Sequence, residues 1–130
     1  MKNPSSGKIK SLNRYTGQIF NLTKNFIKKN KYDLLIISAK YGLLKPEDKI
    51  ENYNHRLKNE KEAIILRIKV LDKLRNIIDD EKYDRIIVIM GKLYRVVIED
   101  IIDGRFIILE SSNGFFDYIK KLSQLVKISY

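Results

Sequence analysis

An α/β layered fold with a short, mostly parallel sheet of three to four strands flanked by helices is predicted by three features of the sequence. Short runs at Leu34–Ile37, Arg85–Met90 and Phe106–Leu109 are almost continuously apolar. A strand covered on both faces, as in a parallel sheet, loses the polar alternation of a half-exposed one. Helical periodicities lie between these runs. The resulting order, α-β-loop-α-β-α-β-α, is the alternation that builds helices onto a parallel sheet. The length of 130 residues suits one domain over 1–130, because domains cluster near ~100–150 residues.

Residues 1–14 read as a polar, basic, extended lead-in. Thr16 is placed to cap a helix over 17–30, with Ile19, Phe20, Thr23, Phe26 and Ile27 on one face. Lys24, Lys28 and Lys31 fall on another face. The segment 38–56 reads as a long loop. Helical spacing resumes over 60–80, where Ala63, Ile64, Ile68, Leu71, Leu74, Ile77 and Ile78 recur with either Leu66 or Arg67. A helix over 92–102 joins the second and third strands. A last one, over 114–127, carries Phe115, Phe116, Ile119, Leu122, Leu125 and Val126.

Composition excludes several chemistries. Without cysteine there is no disulfide, thiolate metal site or cysteine nucleophile, and the single histidine argues against a histidine-built metal centre. No metal and no cofactor are therefore expected. No apolar run approaches the ~20 residues that span a membrane, and the first ten residues lack the apolar stretch of a secretory signal. A cytoplasmic, membrane-free protein is the expectation. Abundant Ile and Lys with scarce Ala and Gln fit either an A/T-rich genome or an archaeal or thermophile-like composition.

The net charge of +10 is concentrated at one end. Residues 1–31 hold eight Lys or Arg and no Asp or Glu, whereas the other 99 residues hold 18 basic and 16 acidic side chains. A segment of one sign sets up a local positive potential that favours phosphate-bearing partners. Lys8, Lys10, Arg14, Lys24, Lys28 and Lys31 are the candidate contacts to nucleic acid. A solvated helix face in a basic protein is the bland alternative.

In α/β sheets, ligands sit beyond the carboxyl ends of the strands. Three loops lie there: Ser38–Pro46, Gly91–Lys92 and Glu110–Gly114. The first continues to Arg56, longer than such connections usually run. It holds carboxylates, phenols and an amide, the groups of base recognition and acid–base chemistry. His55, the single imidazole, stands in it at no diagnostic spacing. Ser6-Gly7-Lys8 is no P-loop, since the rest of that motif is absent, and no dinucleotide fingerprint or nucleophile elbow is present.

The stretch Ile36-Ile37-Ser38-Ala39-Lys40-Tyr41-Gly42-Leu43-Leu44-Lys45-Pro46-Glu47-Asp48, followed by Ile50 and Tyr53-Asn54, resembles the signature of the domain of unknown function 6884 family. Arg14-Tyr15-Thr16-Gly17, Gly91 with Tyr94, and Ser112-Asn113-Gly114 are similar to further motifs of that family in the same order. The resemblance extends more distantly to the YaaA peroxide-stress proteins and to archaeosine synthase. It implies a three-layer Rossmann-like domain with a pocket at the strand ends and an association with nucleic acid. Members of the family commonly begin with a strand and a Cys-Gly/Ser-Lys turn. The corresponding residues are Ser6-Gly7-Lys8, so serine stands for the cysteine and the first strand is expected to be short, missing or supplied from elsewhere. A shortened sheet exposes an edge, which invites a homodimer.

Two functions are compatible with these readings. One is a nucleic-acid- or nucleotide-associated domain that holds phosphates on its basic N-terminal face. The other is a nucleobase- or nucleotide-directed enzyme acting on a base or a glycosidic bond. In the enzyme, Ser38, Lys40, Tyr41 and Gly42 would hold the substrate, Tyr53 and Asn54 would take a base, and Gly91 and Tyr94 would form the opposite wall. Lys40, Asp48 and Glu51 are the candidate catalytic groups.

Overall fold

The computed structural model describes residues 2–109. The chain is a mixture of helices and short strands, an α/β composition with small sheets. In order these are β1 (Ile9–Lys10), α1 (Ser11–Arg14), α2 (Gln18–Asn30), β2 (Ile36–Ser38), β3 (Gly42–Leu44), β4 (Lys49–Ile50), α3 (Glu60–Glu81), β5 (Ile86–Val88), α4 (Lys92–Ile98) with a 3-10 turn at Glu99–Ile101, and β6 (Phe106–Ile108). The strands pair as β1 with β4, β2 with β3 and β5 with β6. The expected helix over 114–127 and the loop Glu110–Gly114 lie outside the described residues.

The described chain falls into two compact units, 2–36 with 45–53, and 37–44 with 54–109. In the first, β1 runs antiparallel to β4, Ile9 opposite Ile50 and Lys10 opposite Lys49. The lead-in is therefore not simply extended: it contributes a strand and the short helix α1. Two-residue strands leave too little periodicity to show in a sequence. α2 begins after Gly17, one residue later than a Thr16 cap would place it, and no side chain caps it. It ends at Lys31, whose φ of 55° is left-handed and whose N–H donates to the Ile27 carbonyl.

In the second unit, α3 starts at Asn59, whose side chain accepts from the Glu62 N–H at 2.9 Å. Glu62 in turn accepts from the Lys58 N–H at 2.8 Å, a near relative of the capping box. Ala63, Leu66, Val70, Leu74 and Ile78 form the buried stripe of α3, which packs on β3 and α4. Leu66, not Arg67, faces inward. Arg67 reaches across to α4, donating through Nε and Nη2 to the Val96 carbonyl and pairing with Glu99 at 2.8 Å and Asp100 at 3.1 Å. β5 and β6 are parallel, Ile86 opposite Phe106 and Val88 opposite Ile108. α4 joins them, as a parallel pair requires a crossover. The long loop expected over 38–56 is corrected: β3 and β4 lie within it.

Candidate functional site

The signature segment is built around Ser38. Its hydroxyl, at the end of β2, accepts from the Lys40 N–H at 3.2 Å and the Tyr41 N–H at 3.0 Å, and Ser38 is buried. A serine that folds back on the two or three residues after it fixes a tight turn. Ser38 therefore shapes the loop from inside. Lys40 is exposed, its ammonium 5.3 Å from the Tyr41 ring centroid. Gly42 has a φ of +79°, which disfavours any side chain. A Cβ there would also stand 3.2 Å from Lys69 Cε. Lys69, on α3, lays its alkyl chain across Gly42 and donates to the Lys40 carbonyl at 3.1 Å. Its role depends on tertiary contact, and no spacing in the sequence marks it.

The segment after the signature joins the first unit. Asp48 closes a turn on Lys45, accepting the Lys45 N–H at 2.8 Å and donating its own N–H to the Lys45 carbonyl at 3.0 Å. The Asp48 carbonyl accepts from the Ser11 N–H at 2.7 Å, and the Pro46 carbonyl from the Leu12 N–H at 3.1 Å. Ser11 Oγ donates to the Lys45 carbonyl at 2.6 Å. This turn thus satisfies the free N–H groups at the start of α1. Glu51 is exposed. Tyr53 shares a hydrogen bond of 2.5 Å with Tyr15 through their hydroxyls, with Lys2 Nζ 4.4 Å over its ring. One face of the expected base platform and its hydroxyl thus have neighbours inside the unit.

Arg14 requires the clearest correction. The sequence puts it among the phosphate contacts, yet it is fully buried. Nη1 donates to the carbonyls of Asn3 at 2.7 Å and Ser5 at 2.8 Å. Nη2 donates to those of Gly7 at 2.8 Å and Ile50 at 3.0 Å. A planar fork with fixed donors suits this convergence of four carbonyls. The Asn3 N–H returns a bond of 2.6 Å to the Arg14 carbonyl. Only Nε is without a partner in its buried position. The Ser6-Gly7-Lys8 turn, with Gly7 at a φ of +76°, is wrapped around this guanidinium.

The other basic candidates stay outside. Lys8, Lys10, Lys28 and Lys31 are exposed, as is Lys29. Lys24 is half-buried, its ammonium 5.1 Å over the Phe20 ring, and burial pushes its pKa below the ordinary lysine value.

In the second unit, Asn54 and His55 are exposed. The Tyr94 hydroxyl accepts from the Leu57 N–H at 3.4 Å. Gly91 precedes α4 with open space on its Cβ side. A cleft of ≈ 330 Å³ lies at the other end of the strands, where the chain enters β6. Arg75, Asp79, Asp100, Asp103 and Arg105 line it. Arg105 and Asp103 pair at 2.7 Å, and their hydrogen bond holds the Asp103 carboxyl below its usual range. No helix among the described residues is long and apolar enough to cross a membrane.

The chain thus has an α/β composition, with an arginine-braced basic first unit and, in the second, a helix-backed parallel strand pair. It belongs to DUF6884, a family of unknown function, whose model matches residues 1–111. No curated protein and no solved structure matches the chain.

Proposed function

We propose that this chain is a cytoplasmic, nucleic-acid- or nucleotide-associated α/β domain that holds phosphates on the basic surface of its first unit. The reading includes a Rossmann-like arrangement, a small-ligand pocket at the strand ends, a distant kinship with YaaA and archaeosine synthase, and association with a second copy of the chain. One observation carries it: within the acid-free segment 1–31, Lys8, Lys10, Lys28, Lys29 and Lys31 are all exposed. Lysines that neutralise phosphates release counterions, so binding weakens steeply with salt. Duplex DNA and bulk tRNA are expected to bind with a steep negative slope of log affinity against log salt. Replacing Lys28, Lys29 and Lys31 together by Gln should flatten that slope by roughly 2–3 for duplex DNA, at about 0.9 per phosphate contact. A slope identical to that of the parent chain would remove this surface from the proposal.

The enzyme reading has its own support. Lys40 is exposed just after β2, its backbone N–H bonded to Ser38 Oγ and its ammonium 5.3 Å from the Tyr41 ring centroid. A thermal-shift panel of nucleobases, nucleosides and nucleotides separates the readings. A shift with one small ligand, insensitive to salt and lost in Lys40→Ala, favours the enzyme. Shifts with polymers alone favour the binding surface.

A further inference from the structure

We propose that the solvent-facing side of α3 is a self-association surface that seats a second copy of the chain, as an antiparallel helix pair centred between Ile65 and Ile68. The buried stripe of α3 runs through Ala63, Leu66, Val70, Leu74 and Ile78. At about 100° per residue, Lys61, Ile65, Ile68 and Asp72 fall on the opposite side, with Ile64 beside them. These isoleucines are exposed by 44% (Ile64), 60% (Ile65) and 80% (Ile68). Single exposed aliphatics are ordinary, but three that adjoin on one helix face form a patch of the kind that marks association.

The charges at its ends select the occupant. In a two-fold antiparallel pair, residues equidistant from the centre meet, and the contact is made twice. Centring on 65 and 68 sets Ile65 against Ile68 of the partner subunit. The same geometry sets Lys61 against Asp72 of the partner subunit, and the reverse. A parallel pair would oppose like charges at both ends. Lys61 is exposed, and the Asp72 side chain is 93% exposed with Arg75 as distant as 4.0 Å. Both are thus available for a pairing across the interface. The α3 face is self-complementary in one orientation, which a second copy satisfies. Stable interfaces bury about 1,200–2,000 Å², more than three isoleucines supply, so the dimer is a weak, reversible one. The homodimer that the sequence suggested through a sheet edge is assigned here to a helix.

Sedimentation equilibrium of the full chain, without nucleic acid, tests this over the micromolar to millimolar range. A reversible monomer–dimer equilibrium is expected. Ile68→Lys should raise the dimer dissociation constant by about tenfold or more without changing the far-ultraviolet circular dichroism or the melting temperature. Lys61→Asp and Asp72→Lys should each weaken the dimer, and the double variant should recover most of the loss. A monomer throughout overturns the proposal, as would a face covered by another part of the chain. A dimer indifferent to Ile68→Lys also overturns it and points to the sheet edge instead. Failure of the double charge swap to restore association overturns the antiparallel register.

Discussion

The second unit encloses aliphatic side chains from α3, α4, β3 and β5, with Ser38 as its buried polar residue. The first encloses Ile36 and Ile50 beside Ser11 and Arg14. The two therefore hold together by different means. Burying a Leu or Ile contributes roughly 1.5–3 kcal/mol through area removed from water, and a stripe of them on a 22-residue helix accumulates. The first unit instead meets the hydrogen-bonding demand of irregular backbone. Carbonyls from residues 3, 5, 7 and 50 converge on one guanidinium, and those of 45 and 48 on Ser11. Apolar contacts tolerate some repacking. A polar centre tolerates little, since removing its donor leaves each acceptor unsatisfied.

The largest effect should follow from removing that centre. Arg14→Ala leaves four carbonyls without their donor, and each buried acceptor left unsatisfied costs about 1–3 kcal/mol. Arg14→Lys should recover little, because an ammonium on a flexible stem cannot reproduce the fork. Leu66→Ala, the counterpart in the second unit, should cost about 2–4 kcal/mol by cavity formation. Hydrogen exchange read residue by residue sharpens the comparison. Arg14→Ala should expose the amides of 2–15 and 45–53 before those of α3, and Leu66→Ala should do the reverse. Equal loss everywhere in both variants would break the division, making the units one cooperative block.

This contrast also explains what was legible in the sequence. The strands near 34–37, 85–90 and 106–109 and the helix over 60–80 appear within a few residues of their expected positions, the strands because they lie in continuous apolar runs and the helix because it is long enough to carry a period. The start of α3 is fixed in the structure by Asn59 and Glu62. β1, β3, β4 and α1 span two to four residues each, too short for any periodicity, and their places depend on partners distant in sequence. The site was legible in the same uneven way. Lys40 and the lysines at 8, 10, 28 and 31 are exposed as their charge suggests. Arg14 is not, because charge alone cannot tell an arginine that meets solvent from one that meets carbonyls. Lys69 over Gly42 is a contact between β3 and α3 that no local pattern encodes.

The smallest expected effect compares the units through a feature they share. Each ends a helix on a lysine in the left-handed conformation: Lys31 after α2, with a φ of 55°, and Lys82 after α3, with a φ of 53°. That conformation costs an L-residue about 1–2 kcal/mol, and glycine adopts it freely. Glycine also gains entropy in the unfolded chain, which offsets part of the benefit. Lys31→Gly and Lys82→Gly should therefore each stabilise by about 0.5–1 kcal/mol, read from the urea midpoint at constant slope. If the units unfold separately, Lys82→Gly should protect the amides of α3 and leave those of α2 unchanged, and Lys31→Gly should do the opposite. If a single glycine protects both helices equally, the polar and apolar interiors belong to one folding unit, and the difference between them is one of chemistry alone.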